Sequence, residues 1–336
     1  MHRLPGRAFA ALGAVLLVVV CASPVTATGA GSIARPEPGI LSTSWGTDNA
    51  VGCPAGEQGL DNIPITFNWF IRRSSIQATD FRVMRSDGSI ATPTCALQFP
   101  PDESDEAQTV NLIGDFGDST SGPTPVAIRV VGTLQGRVPG AIRWRQIPPL
   151  PKANVEPLSG GPYIVDAWTL TPAIYRGDAN RCTVGKTFLR VMWSNGLTAY
   201  PTGAEVGAPV VASYRAIYKL PSGKVVAVAP LDVADLHDHS SSANADNMHD
   251  LCLPRPPRGA QLTAVTIGAE LIQDPNGDPN VAQRFRTPRP GRFWSGSPRS
   301  PRWLLGDPPC RTRLSEGLRE RRSSATRTSA RAFPCR

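Results

Sequence analysis

The chain has 336 residues and a formal net charge of +8. The charge is unevenly spread, because residues 284–336 carry 14 arginines against three acidic residues, whereas residues 28–283 carry 19 basic and 24 acidic residues. A mildly acidic body gives no reason to expect nucleic acid as a partner.

The N-terminal segment has the features of a secretory signal peptide. Arg3 and Arg7 precede an apolar run over residues 8–22, and small residues suited to cleavage follow. A retained anchor is the alternative, but this run of 15 residues is shorter than the roughly 20 that span a bilayer. Lipid attachment through Cys21 is a further alternative, although three valines precede it where small residues are usual. We therefore expect residues 1–27 to be removed and the mature chain to be secreted, extracellular or periplasmic, without a membrane span.

Residues 39–147 form the first predicted domain. Five large apolar side chains alternate along one face of a predicted strand: Ile63, Ile65, Phe67, Trp69 and Ile71. A hairpin follows, in which Asp87-Gly88 supplies the positive φ angles of a tight turn. Further strands are predicted over residues 109–113 and 126–131.

Residues 163–285, the second predicted domain, repeat this order. The alternating apolar residues are here Leu189, Val191 and Trp193. A hairpin with the turn Pro221-Ser222-Gly223 follows. Further strands are predicted over residues 248–253 and 262–267. The shared order of cysteine, tryptophan-ended strand, hairpin and further strands predicts an internal duplication.

A proline-rich connector, residues 148–162, separates the two predicted domains. Just before it, Trp144 stands between Arg143 and Arg145. Two interpretations are open: Trp144 packs at the interface between the domains, or it is the outward end of an edge strand.

Each half contains two cysteines that bracket its tryptophan-ended strand. We predict the disulfide bonds Cys53–Cys95 and Cys182–Cys252, because each domain then closes its own bridge. Many short strands, frequent glycine and proline, and the lack of an amphipathic helix predict an all-β fold.

The order of cysteine, tryptophan and cysteine resembles that of immunoglobulin-like domains, in which a buried tryptophan packs on the disulfide bridge. Such domains place a tyrosine two residues before the second cysteine, where this chain has Pro93 and Asp250. The resemblance therefore implies the architecture alone. It predicts two tandem immunoglobulin-like β-sandwich domains followed by a disordered arginine-rich tail.

Part of the first domain also resembles a group of uncharacterised secreted proteins. The similar segments are Phe81-Arg82-Val83, Ser86-Asp87-Gly88-Ser89, Thr92-Pro93 and residues 109–117. This resemblance covers roughly the first domain and implies no activity.

The C-terminal residues 286–336 are rich in arginine, proline and serine and show neither helical nor strand periodicity. We predict a basic disordered tail. It is a surface-docking arm or, as the composition favours, an extension without a selected function. A chain that ends near Val281 is therefore expected to keep the stability of the mature chain.

The mature chain has three histidines, all within 13 residues: His237, His239 and His249. Residues two apart on an extended backbone face the same way, so His237 and His239 could offer two imidazoles to one metal, with His249 or an aspartate as the third ligand. Zinc or copper suits such a site. The alternative is a solvated loop without a cofactor.

Carboxylate clusters give weaker signals. Residues 274–280 present oxygens at alternating positions as calcium loops do, but the glycine and glutamate of an EF-hand are misplaced, which favours a turn. Acidic residues at 102–106 and at 115 and 118 could pair for glycoside hydrolysis, although charge runs of this length are usually solvated turns.

The sequence contains none of the common hydrolase, phosphate-binding or redox motifs. This favours a non-enzymatic binding or surface-structural protein, whose partner is an unknown extracellular protein, glycan or surface component. The alternative function is a metal-binding protein or metal-dependent hydrolase that uses the histidine loop.

Overall fold

The structure is a computed structural model that describes residues 37–287, except 57, 100, 102–105, 119, 140, 158–159, 171–181, 205 and 235–245. The predicted signal peptide and nearly all of the predicted tail lie outside these residues. Most of the regular structure is β-strand arranged in antiparallel sheets, as the all-β prediction requires.

The first half of the chain forms three antiparallel sheets. Its strands are β1 (Ile40–Thr43), β2 (Asp61–Phe67), β3 (Phe70–Ile71), β4 (Phe81–Arg85), β5 (Ile90–Ala91), β6 (Cys95–Gln98), β7 (Thr109–Gly114), β8 (Pro125–Val130), β9 (Gln135–Arg137), β10 (Arg145–Gln146) and β11 (Ala153–Asn154). The strand orders are β1-β2-β7-β6, β11-β8-β4-β5 and β10-β9-β3. Two short 3-10 turns, Arg73–Ser75 and Ala78–Asp80, precede β4.

The second half forms another three antiparallel sheets. Its elements are β12 (Ile164–Leu170), β13 (Thr187–Trp193), β14 (Thr198–Ala199), α1 (Ala208–Ser213), β15 (Arg215–Lys219), β16 (Val225–Val228), β17 (Asp232–Ala234), β18 (Met248–Leu253), β19 (Gln261–Ile267), β20 (Ile272–Gln273) and β21 (Gln283–Phe285). The strand orders are β12-β13-β18-β17, β16-β15-β19-β21 and β14-β20.

Each half has its own hydrophobic core. The alternating residues of β2 pack with β4, β7 and β8 in the first core, and those of β13 pack with β15, β18 and β19 in the second. The predicted strand through Ile71 is interrupted, because Asn68 and Trp69 form a bend between β2 and β3. The two bridges of the structure join Cys53 to Cys95 and Cys182 to Cys252, as expected from the sequence.

The two halves also contact each other through polar groups. Asn247 donates to Thr109 Oγ1 at 3.1 Å, and Asn276 donates to the carbonyl oxygen of Trp45 at 3.1 Å. The described residues of both halves accordingly belong to one compact unit. The division into two domains therefore stays a prediction, although the cores are separate.

The second half extends further than residue 281. β21 pairs with β19, and Thr287 donates to the carbonyl oxygen of Thr263. A chain that ends near Val281 would lack these contacts, which argues against the expectation that it keeps the stability of the mature chain. Among the described residues, no helix is long and apolar enough to cross a membrane.

Candidate functional site

The predicted metal site is only partly visible. His237 and His239 lie outside the described residues, so their distance from His249 stays unknown and metal binding stays a prediction. His249 lies on β18, directly opposite Val191 of β13, and its side chain is 1% exposed. In the part of the chain that the structure describes, no group of three or more His, Cys, Asp or Glu side chains is placed to hold a metal ion.

His249 belongs to a buried aromatic cluster. The Trp193 indole donates to the Tyr214 hydroxyl at 3.0 Å, and this hydroxyl lies 2.7 Å from Nδ1 of His249. Burial lowers the pKa of His249 to about 3, so its ring is neutral. In the tautomer protonated at Nε2, Nδ1 accepts a hydrogen bond from the Tyr214 hydroxyl. With Nδ1 occupied in this way, only Nε2 of His249 could bind a metal.

The loop at residues 274–280 is a turn, as the sequence favoured. Asp274 Oδ1 accepts from the backbone N–H groups of Asn276 and Asp278, both at 3.0 Å, and Gly277 has a φ of +87°. These bonds use the carboxylate to hold the turn. Burial raises the pKa of Asp274 to about 6.

The acidic residues near residue 106 do not form a visible pair of catalytic carboxylates. Residues 102–105 lie outside the description, and Glu106 is buried beside Arg190 at 2.6 Å. Asp115 is exposed at the surface, 3.6 Å from Arg85.

A cleft lies beside β9 and β10 in the first half. It has a volume of about 80 Å³ and is lined by Glu37, Trp69, Arg137, Val138, Ala141, Arg143 and Arg145. Trp69 and Val138 are buried, whereas Glu37, Arg143 and Arg145 are exposed. The cleft therefore has an apolar inner part and a charged rim, the usual composition of a ligand site.

Beside the cleft, strand register places the Arg137 side chain between the rings of Phe70 and Trp144. Arg137 lies in the central strand β9 directly opposite Phe70, and Arg145 pairs with Gly136, which places Trp144 beside Arg137 on the other side. The Arg137 guanidinium lies 4.5 Å from the Trp144 ring centre and 5.6 Å from that of Phe70. Cation–π attraction on both sides holds this side chain in place. Trp144 is thus half-buried directly before the edge strand β10, where its ring packs on Arg137.

The rim of the cleft carries excess positive charge. Among the described residues, Arg143 and Arg145 have neither an ion pair nor a side-chain hydrogen bond, and Glu37 is the single acidic residue in the lining. Next to them, Ile142 is 88% exposed at the tip of the loop between β9 and β10.

Sequence reasoning missed this cleft as a site. The net charge of −5 over residues 28–283 hides a local basic cluster, and the contribution of Trp69 depends on the bend after β2. The available signal was the sequence Arg143-Trp144-Arg145 directly after the exposed Ile142.

Comparison of the chain with family models, with curated proteins and with solved structures finds no match. The function is therefore argued from the geometry of the cleft.

Proposed function

We propose that the protein is an exported, non-enzymatic binding module that recognises an oxyanion on its partner through the cleft beside β9 and β10. The observation that carries this proposal is the pair of exposed arginines, Arg143 and Arg145, which line the rim of the cleft and form no ion pair with any described residue. Guanidinium groups bind carboxylate, sulfate and phosphate with paired hydrogen bonds.

The scaffold suits such a role. We infer two tandem immunoglobulin-like sandwich domains, supported by two separate cores, each with its own disulfide bridge. Disulfide bonds persist in oxidising compartments, which supports action outside the cytoplasm together with the signal-like N-terminus. Loops carried on a rigid β-scaffold commonly form binding surfaces.

Binding to three polymeric anions tests the proposal: polygalacturonate, polyglutamate and dextran sulfate. The variant Arg143→Gln/Arg145→Gln is expected to lose at least ~10-fold in affinity for one or more of them at ~150 mM salt, because it removes the paired donors.

The matched control is Arg255→Gln/Arg258→Gln, which removes two exposed arginines from the second half. It has the same net charge, so it corrects for general attraction by the arginine-rich C-terminal segment. Equal affinities of the two double variants for all three polymers would refute the proposed function.

A further inference from the structure

The cleft combines three kinds of group that rarely serve one simple anion. Its lining includes a buried indole with two small apolar side chains, two exposed guanidinium groups and one carboxylate. A site for an inorganic anion needs only donors and positive charge. The apolar groups and the carboxylate therefore require a ligand with more than one kind of surface.

We infer that the ligand of this cleft is a carboxylate-bearing saccharide, which the cleft recognises through one sugar-acid unit. The inference rests on the proposed function, since it names the chemical class bound at the same site. A sugar acid offers a carboxylate, an apolar ring face and several hydroxyl donors, which match the three kinds of lining group.

Arg143 and Arg145 account for the carboxylate. Both line the cleft from the same short segment that leads into β10, and neither is neutralised by a described neighbour. The fork of each guanidinium can pair with a carboxylate through two parallel N–H···O bonds, so these two side chains suffice to bind the acid group of a sugar acid.

Glu37 accounts for the hydroxyl groups. A carboxylate in an anion site opposes binding unless the ligand donates hydrogen bonds to it, and hydroxyls do so. The Glu37 segment is held at the cleft by Asn68, which donates to the Glu37 carbonyl oxygen at 2.8 Å and accepts from the Gly39 N–H at 2.7 Å. Asn68 directly precedes Trp69, so the acidic and aromatic walls are fixed to one another.

The apolar inner surface of the cleft and its volume match part of a sugar ring. Trp69, Val138 and Ala141 present apolar groups to the cleft, as the C–H face of a sugar requires. The volume of about 80 Å³ is well below that of a pocket that encloses a whole ligand. We therefore infer that one end of a sugar-acid unit enters the cleft and that the rest of its ring stays outside.

Calorimetric titration with four small probes tests the class: trigalacturonate, the matched neutral galactotriose, triglutamate and inorganic sulfate. We expect trigalacturonate to bind at least ~10-fold more tightly than each of the other three, because it alone offers all three matching groups. Triglutamate binding as tightly as trigalacturonate would mean that an acidic peptide is the ligand and would overturn the inference.

Substitution of Glu37 distinguishes recognition of sugar hydroxyls from attraction by charge alone, because the two predict opposite changes in the affinity for trigalacturonate. If Glu37 accepts sugar hydroxyls, Glu37→Ala weakens trigalacturonate binding by several-fold and Glu37→Gln, which keeps an acceptor oxygen, weakens it less. If the cleft attracts anions by charge alone, both variants bind more tightly by similar factors, and the inference is overturned.

Failure of the inference is separable from failure of the proposed function. If trigalacturonate binds no more tightly than the other probes but Arg143→Gln/Arg145→Gln still weakens polymer binding, only the proposed ligand class is refuted. Loss of the arginine effect on all polymers refutes both.

Discussion

His249 shows how burial alone changes the chemistry of a residue that the sequence presents as a ligand. The imidazole is enclosed by Trp193 and Tyr214, with ring centres 6.2 and 5.9 Å away. Water cannot solvate an imidazolium there, which lowers the pKa of His249 from 6.5 to about 3. The unfolded chain therefore takes up a proton at a higher pH than the folded chain.

This difference predicts acid sensitivity. The stability contributed by neutral His249 is fully present above pH ~6.5 and falls by up to about 1.4 kcal/mol per pH unit between there and pH ~3. We expect His249→Gln, which can still accept the Tyr214 hydrogen bond, to be less stable than wild type at pH 7 but to lose less stability on acidification. Urea unfolding at several pH values measures both.

The quantity to compare is the difference in the free energy of unfolding between wild type and His249→Gln at each pH. The pKa values of Asp166 and Asp274 are raised to about 6 by burial, so protonation of these carboxyls favours the folded state below that pH and opposes the effect of His249. Their contribution is common to wild type and variant. Parallel stability curves for wild type and His249→Gln would contradict the prediction.

The histidine loop has its own test. If His237, His239 and His249 bind zinc or copper, His237→Ala/His239→Ala abolishes the thermal shift that the metal produces, because two ligands are lost. Asp274→Ala, in a separate turn, should leave the shift intact. Metal affinity should also fall below pH ~6.5, where free imidazoles become protonated. Purified protein that shows neither bound metal nor a thermal shift with these ions would reject the metal site.

At the scale of elements, β13 shows what a strand pattern can predict. The alternation of Leu189, Val191 and Trp193 correctly identifies the face in the second core, and it correctly turns Arg190 the other way. It does not reveal what covers that other face. Arg190 is fully buried because Glu106, 84 positions earlier in the chain, packs on it from the first half.

Strand pairing and contact between the halves produce a buried charge cluster. Arg190 lies opposite Asp250 in the register of β13 and β18 and donates to both of its carboxylate oxygens, at 2.8 and 2.9 Å. The same guanidinium lies 2.6 Å from Glu106. One cation thus compensates two carboxylates in a region without solvent.

Removal of this cation should be costly. We expect Arg190→Met to lower the free energy of unfolding by about 3–5 kcal/mol, because both carboxylates lose their buried counter-charge. The triple variant Arg190→Met/Glu106→Gln/Asp250→Asn should recover a substantial part of that loss. Urea unfolding gives the values.

Arg129 provides the control, since it is an exposed arginine in strand β8. Arg129→Met should change the free energy of unfolding by less than about 0.5 kcal/mol. A triple variant no more stable than Arg190→Met would show that lost packing, and not uncompensated charge, causes the effect.

At the scale of the whole molecule, the sequence predicts the parts better than their boundaries. Local alternation and turn residues predict most strands, and the cysteine spacing predicts both bridges. Strand β21 was not predicted because it is short and polar, and only its pairing partner β19 makes it a strand. The cleft was missed for a similar reason, since Glu37 and Arg145 are far apart in sequence and meet only in the folded chain.

Truncation at two positions tests where the fold ends. A chain that ends at residue 281 loses β21, in which Gln283 accepts from the Ile164 N–H at 2.8 Å and donates to the Pro162 carbonyl oxygen at 2.9 Å. It also loses Phe285, which packs against the second core. We expect it to be less stable than the full chain by about 2–4 kcal/mol, from two hydrogen bonds and one partly buried aromatic ring.

A chain that ends at residue 287 retains all these contacts and should keep the melting temperature of the full chain within a few degrees, because the arginine-rich residues beyond it offer no periodic apolar face. Gln283→Ala in this shorter chain separates pairing from length, since it removes both side-chain bonds of β21 while the strand remains. It should lie between the two truncations in thermal stability. If the chain ending at residue 287 melts as low as the chain ending at residue 281, the C-terminal residues pack on the body and the prediction of a disordered tail is wrong.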